Sequence, residues 1–196
     1  MQNFKEEKTF VMVKPDGVKR GLVGEIIKRI EQRGLKIVAC VMFEATHAQI
    51  DSHYPKTQAW TKRIGEKTLS TYTKYGISAK KELGVDDPEK IGKMVREWIL
   101  DFMTSGPMVK MAIQGVHAID TVRKLCGNTI PAHAELGSIR GDFSVDSPAL
   151  ANQGKRGIHN LIHASETPEE AMHELKLWFT PKEIHSYKRA EEDIMF

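Results

Sequence analysis

Thr9-Phe10-Val11-Met12-Val13-Lys14-Pro15-Asp16-Gly17-Val18, continued by Arg20-Gly21-Leu22-Val23-Gly24-Glu25-Ile26-Ile27, holds the pattern from which the fold is read. Thr9 to Val13 is short, apolar and β-rich, the mark of a buried strand. It stops at Lys14-Pro15-Asp16-Gly17, which reads as a turn. Beyond the turn, Leu22, Val23, Ile26, Ile27 and Ile30 recur at helical spacing, and Gly34 closes that helix. A second strand follows from Leu35 to Phe43.

The same alternation continues downstream. Thr46 to Tyr54 reads as a short helix with Thr46 as N-cap. Residues 55–87 are rich in Lys, Thr, Ser and Gly, with scattered aromatics at Trp60, Tyr72 and Tyr75. Asp87-Pro88 starts a new helix, Asp as N-cap and Pro at the first helical position. Its apolar face is Ile91, Met94, Val95, Trp98, Ile99 and Phe102, and Ser105-Gly106-Pro107 ends it. Met108 to Ile113 predicts a third strand, and Ala118 to Leu125 a helix stopped by Gly127. Asn128 to Lys155 has little periodicity, and a long irregular segment of that kind is often functional. Ile158 to His163 is strand-like, and Thr167-Pro168-Glu169-Glu170 has the form of a capping box opening a helix that Pro181 interrupts. With no repeat and no clear linker, residues 1–196 read as one α/β or α+β domain.

Composition narrows the class. Forty per cent hydrophobic residues in a 196-residue chain describe an ordinary globular protein. A formal net charge of +3 permits anionic ligands, but no basic cluster or interleaved aromatics argue for nucleic acid as the primary partner. No apolar stretch approaches the ~20 residues of a membrane span. The N-terminus carries charges where a signal peptide needs an apolar run, so the default compartment is cytoplasmic. Cys40, within the apolar run Ile37 to Met42, and Cys126 lack zinc-type spacing. Both are expected as reduced, core or near-core thiols.

The chemistry-bearing residues are ambiguous singly. Lys14 after a buried strand reads, alone, as a solvated turn lysine. Arg123 and Arg140 read, alone, as surface ion pairs, although glycines flank Arg140 in Gly137-Ser138-Ile139-Arg140-Gly141-Asp142-Phe143. Joined with Thr129 they would make a polyphosphate clamp, since guanidinium forks match phosphate oxygens. His163 stands at a strand end before a helix start, a place suited to anions. A neutral histidine there can attack phosphorus, with Glu170 or Glu174 as the carboxylate fixing its tautomer. A structural or surface histidine fits the same residues equally well.

A joint match separates these readings. The opening stretch resembles the first strand, loop and helix of nucleoside diphosphate kinases. So do Ser105-Gly106-Pro107, Gly127-Asn128-Thr129-Ile130-Pro131, Gly137 to Phe143, Asn160-Leu161-Ile162-His163-Ala164-Ser165, and Glu174 to Phe179, all in the family's order. The resemblance implies a ferredoxin-like βαββαβ sandwich, a four-stranded antiparallel sheet with helices on one face. It implies ping-pong transfer of a γ-phosphoryl group between nucleoside tri- and diphosphates, with His163 as the phosphorylated nucleophile. Glu174 matches the carboxylate orienting it and Ser165 the nearby hydroxyl. Lys14, Tyr54, Arg123, Thr129, Arg140 and Asn160 match nucleotide-binding positions. Mg²⁺ is implied as a cofactor held mainly by the nucleotide phosphates, with no protein metal ligands, and a homo-oligomer (hexamer or tetramer) as the assembly.

The chain departs from the family pattern at two expected insertions, a mostly helical one at about 55–97 and another at about 145–157. The base-stacking residue is not assigned by alignment; Trp60 and Trp98 are candidates, and helical spacing favours a core role for Trp98. His159 stands where an arginine is usual, so a phosphate contact is either missing or supplied by Lys155 or Arg156. Glu166 replaces the usual Asp. A nucleotide-binding member with weak exchange is the rival reading, against which His163, Glu174 and Arg140 are all present.

Overall fold

The computed structural model describes residues 6–195; of the charged N-terminal stretch, residues 1–5 lie outside it. In chain order the elements are β1 (Glu7–Val13), α1 (Pro15–Lys19), α2 (Val23–Gln32), β2 (Lys36–Phe43), α3 (His47–His53), α4 (Gln58–Lys74), α5 (Ala79–Leu83), α6 (Pro88–Met103), β3 (Met108–Gly115), α7 (Ala118–Cys126), α8 (Ile139–Phe143), α9 (Pro148–Gln153), β4 (Ile162–Ala164), α10 (Pro168–Trp178) and α11 (Glu192–Met195). They fall into two compact units. One comprises the chain up to Glu44, Pro107–Ser144 and Asn160 onward; the other comprises Ala45–Gly106 and Val145–His159.

The first unit is built on an antiparallel sheet of order β2-β3-β1-β4, the ferredoxin-like arrangement. Side chains alternate across a strand, so β1 serves both faces. Val11 and Val13 enter a core with Ile26 and Ile30 of α2 and Val122 of α7, together with Met111, Ile113 and Ile162. Phe10 and Met12 point the other way, where Phe10 stacks on Trp178 of α10 at 6.1 Å and meets Phe179 edge-on at 6.3 Å. Met12 pairs with His163 across the β1–β4 ladder, which puts the imidazole on the Phe10 side, 6.0 Å from that ring. The β2 edge is covered by the C-terminal segment: His185 N–H donates to Val38 O at 2.8 Å and Tyr187 hydroxyl to Ile37 O at 2.9 Å. Such cover keeps an edge strand from pairing with other chains.

In the second unit α4 packs on α6 through glycine. A Cβ on Gly65 would land on the Pro88 carbonyl oxygen, and one on Gly92 on the Thr61 carbonyl oxygen. Thr57 and Asp87 cap the two helices, and Tyr72, Ala79 and Ile91 form a small core flanked by Val95. Trp98 is half-buried. Asp146 is buried and receives both Arg156 guanidinium nitrogens, at 2.6 and 3.0 Å, and the His159 backbone N–H at 2.7 Å. That ion pair draws together the ends of the stretch 145–157, which carries α9.

Four expectations need correction. Lys14-Pro15-Asp16-Gly17 is no open turn: Pro15 begins the short helix α1 with Lys14 as its N-cap residue. Of the strand-like run Ile158 to His163 only Ile162 and His163 join the sheet, in a strand that continues to Ala164. The irregular stretch after Asn128 contains α8 and α9. Cys126 is buried as expected, but Cys40 is exposed: it shares the face of Met111, opposite which it pairs, but sits on the edge strand β2, which has a neighbouring strand on one side only; both thiols are free. Among the described residues no helix is long and apolar enough to cross a membrane.

Candidate active site

His163 is placed by the last strand and oriented by the last long helix. Thr167 caps α10 by accepting the Glu170 N–H at 3.2 Å, with Pro168 opening the first turn. The buried face of that helix is Ala171, Glu174 and Trp178. It delivers the Glu174 carboxylate, 2 % exposed, beneath the imidazole. His163 Nε2 lies 2.8 and 3.0 Å from the two Glu174 oxygens, and the fully buried Ser165 hydroxyl donates to Glu174 Oε2 at 2.6 Å. A buried carboxylate paired in this way makes Nε2 the protonated nitrogen and leaves the lone pair on Nδ1. Of the two carboxylates offered by the sequence, Glu174 is the one in contact with Nε2, and Glu170 accepts the Glu166 backbone N–H at 2.6 Å.

The segment before His163 bends sharply. Leu161 has φ of +69°, a left-handed conformation that a leucine rarely adopts. Its N–H donates to Asp16 Oδ2 at 3.0 Å and its carbonyl accepts the Lys14 N–H at 2.8 Å. Gly17 allows this approach, since a Cβ there would sit 2.9 Å from the Leu161 carbonyl oxygen. The start of α1 and the entry to β4 are thereby docked backbone to backbone.

Around that junction the expected cations converge. Lys14 Nζ donates to Asn160 Oδ1 at 2.7 Å, and Asn160 Nδ2 donates to the Thr129 carbonyl at 2.9 Å. The buried Arg140 guanidinium spans three carbonyls: Asn160 O at 3.1 Å, Gly127 O at 2.7 Å and Ile162 O at 2.6 Å. Gly141 permits the tight turn at Ser138, for a Cβ there would collide with the Glu135 carbonyl. Arg123 is more exposed and pairs with Glu166 at 3.2 Å. Thr129 has an exposed side chain and contributes its carbonyl to the network. Tyr54 belongs to the second unit, with its ring edge-on to His53 at 5.0 Å and 6.3 Å from Trp60. There too the Arg156 guanidinium is engaged by Asp146, while the His159 ring packs on Phe102 at 4.8 Å.

The electrostatics follow the geometry. Burial first, and then the Arg140 charge, lower the Lys14 ammonium to about 8, with Asp16 opposing them. Burial likewise holds His163 well below the ordinary imidazole range, followed by Lys14, with Glu170 opposing and Arg140 and Arg123 adding to the depression. The ring is therefore neutral at physiological pH and sits in the field of three cations. Asp16 and Leu161, which join the two halves of this cluster, were not singled out from sequence. The left-handed leucine has no sequence signature, and the proline-glycine pair around Asp16 read only as a turn.

The family model described as nucleoside diphosphate kinase matches residues 7–74 and 88–184. The chain belongs to the nucleoside diphosphate kinase family. A nucleoside diphosphate kinase of Pyrobaculum aerophilum is 46% identical over 178 residues, covering 91% of this chain and 97% of that protein. The kinase of Archaeoglobus fulgidus is 38% identical over 190 residues, 97% of each chain. Among solved structures, the NDP kinase of Pyrobaculum aerophilum superimposes with a TM-score of 0.89 at 44% identity, covering 92% of this chain and 100% of that one. A transition-state mimic of the Borrelia burgdorferi nucleoside-diphosphate kinase with bound vanadate and ADP gives a TM-score of 0.77 at 33% identity, covering 97% of this chain and 96% of that one. The chain is thus a nucleotide-binding phosphotransferase, a nucleoside-diphosphate kinase. Residues 75–87, the segment between α4 and α6 that carries α5, fall between the two matched blocks of the nucleoside diphosphate kinase model, inside the longer stretch expected as an insertion.

Proposed function

We propose that this kinase moves the γ-phosphoryl group through a phosphohistidine at His163 in two half-reactions. The observation that carries the reading is the pairing of His163 Nε2 with the buried Glu174 carboxylate, which aims Nδ1 away from the protein's own acceptor. In the first half-reaction the Nδ1 lone pair attacks the γ-phosphorus, the bond to the β–γ bridging oxygen breaks, and the nucleoside diphosphate leaves with that electron pair. Positive charge growing on the ring is met by Glu174, itself steadied by Ser165. In the second half-reaction a terminal oxygen of another diphosphate attacks the phosphohistidine and the neutral imidazole leaves.

Lys14, Arg140 and Arg123 are assigned to the phosphate oxygens, Asn160 and Thr129 to holding the lysine and the sugar-phosphate path, and Tyr54 to the nucleotide. Such transfer relies on positioning and charge stabilisation more than on new covalent machinery. The family is generally magnesium-dependent. After burial the ring feels Lys14, then Glu170 in the opposite sense, then Arg140 and Arg123; the three cations suit phosphate, so magnesium would be held by the nucleotide's own phosphates and would supply charge neutralisation there. We further propose that the two units serve one catalytic domain with a helical insertion, and that the protein is a cytoplasmic homo-oligomer; light scattering after gel filtration tests the assembly.

The test of the mechanism is a pulse with γ-labelled ATP and Mg²⁺ followed by unlabelled diphosphate. Acid-labile label that appears on the protein, is absent from His163→Ala and is chased into triphosphate supports the reading. Undiminished exchange by His163→Ala would overturn it.

A further inference from the structure

We infer that Asp16 is a positioning residue that sets the nucleophile by holding Leu161 in its left-handed conformation. The inference rests on the reading of His163 as nucleophile and adds what keeps that imidazole in place. Leu161 lies between Asn160, which holds the Lys14 ammonium, and His163 two residues on. At φ +69° it occupies a backbone state that costs an L-residue energy and persists only where surrounding contacts enforce it. Those contacts are on view. The Asp16 carboxylate accepts the Leu161 N–H at 3.0 Å, and the Lys14 N–H donates to the Leu161 carbonyl at 2.8 Å. The leucine side chain is fully buried, so the turn cannot unwind toward solvent without leaving the core.

Only one of these restraints is a side chain, and it is not one of the residues assigned to phosphate. Asp16 Oδ2 bonds Leu161, while Oδ1 is buried and takes no hydrogen bond among the described residues. A carboxylate placed so is held by Leu161 and by the neighbouring positive charge: Asp16 acts electrostatically on both Lys14 and Arg140. Without it, the buried Leu161 N–H loses its acceptor and the turn relaxes toward negative φ. That rotates the Asn160–Ile162 backbone and swings His163 off the line to phosphorus. A displacement near 1 Å at a reacting centre is enough to cost ~10²-fold in rate.

Gly17 gives an independent handle on the same turn. A Cβ there meets the Leu161 carbonyl oxygen at 2.9 Å and Val13 Cγ1 at 2.8 Å, and so pushes on the other side of the restraint. If Asp16 and Gly17 both act through Leu161, their effects do not add, because a turn released once has little more to lose.

The experiment compares Asp16→Ala, Asp16→Asn, Gly17→Ala and the double variant Asp16→Ala/Gly17→Ala in steady-state exchange and single-turnover phosphorylation. Melting temperatures are recorded beside them, and His163→Ala is the reference. Expected are a kcat for Asp16→Ala lower by ~10²-fold with KM within about threefold, the same signature for Gly17→Ala, and a double variant no slower than about threefold below the worse single. Asp16→Asn, which keeps an acceptor for the Leu161 N–H, restores kcat to within about tenfold of the parent. Asp16→Ala with parental kcat, a loss confined to melting temperature, or fully multiplicative effects in the double variant each overturn the inference. If His163→Ala retains exchange, the nucleophile assignment fails; if it is inactive while Asp16→Ala is fully active, the positioning role alone fails.

Discussion

Replacement of Glu174 probes the most specific geometry in the site. The carboxylate makes two close approaches to His163 Nε2, at 2.8 and 3.0 Å, and receives the Ser165 hydroxyl at 2.6 Å. Glutamine keeps one oxygen for the Nε2–H and turns its NH₂ toward Ser165, whose hydroxyl can accept, so no buried polar group is stranded. What is lost is the charge assistance of the bond to histidine, a difference of about 1–1.5 kcal/mol between charged and neutral hydrogen bonds. That corresponds to roughly tenfold in rate. Alanine removes both bonds, frees the tautomer and leaves the fully buried Ser165 hydroxyl with only the Phe10 carbonyl at 3.4 Å. Together these cost ~10²–10³ in phosphorylation rate, with a further ~1–3 kcal/mol of stability from the stranded hydroxyl. Stopped-flow measurement of enzyme phosphorylation by ATP reads the chemical step directly. Alanine equal to the parent, or glutamine slower than alanine, would refute the argument that Glu174 acts by fixing and charging the imidazole.

Three further outcomes follow from the same geometry. The pH profile of kcat/KM should fall as pH rises through about 8, where Lys14 of the unliganded enzyme loses its proton, and keep its acid limb well below the ordinary imidazole value, because His163 is held neutral; kcat itself should persist to higher pH, since bound phosphate favours the charged lysine. Arg140→Lys retains a charge but not the fork that spans the Gly127, Asn160 and Ile162 carbonyls, so exchange should drop by ~10² and the melting temperature by on the order of 10 °C; an unchanged melting curve would contradict this. Gly65→Ala should lower the melting temperature because its Cβ collides with the Pro88 carbonyl, whereas Gly24→Ala, with open space around it on α2, should raise stability by up to ~1 kcal/mol; equal signs for the two would be the contrary result.

The parts of this fold legible in sequence are those whose information is local. β1 and α2 announced themselves by apolar runs at strand and helix periods, and the ends of α6 and α10 by Asp87-Pro88 and Thr167-Pro168. The helix α4 was hidden for a physical reason: its buried positions, Thr61, Gly65, Thr68 and Tyr72, keep helical spacing but are small or polar, so no hydrophobic stripe marks them. The helix α1 was read as a turn because Pro15 and Gly17 are turn formers; docking on Leu161 makes it a helix. Cys40 looked like core because an edge strand carries the same residue types as a central one. In the site, His163 and Ser165 at the strand end and the two carboxylates Glu170 and Glu174 on the next helix were legible locally, and the resemblance singled out Glu174. The convergence of Lys14, Arg140 and Asn160 depends on antiparallel pairing of β1 with β4 and was not legible.

The identity of the phosphorylated nitrogen bears most directly on the central claim. After brief phosphorylation by ATP and Mg²⁺, phosphorus NMR of the alkali-denatured protein distinguishes the two isomers of phosphohistidine. Phosphate on Nδ1 of His163 is the expected result, because Glu174 occupies Nε2. Phosphate on Nε2, or on another side chain, would contradict it.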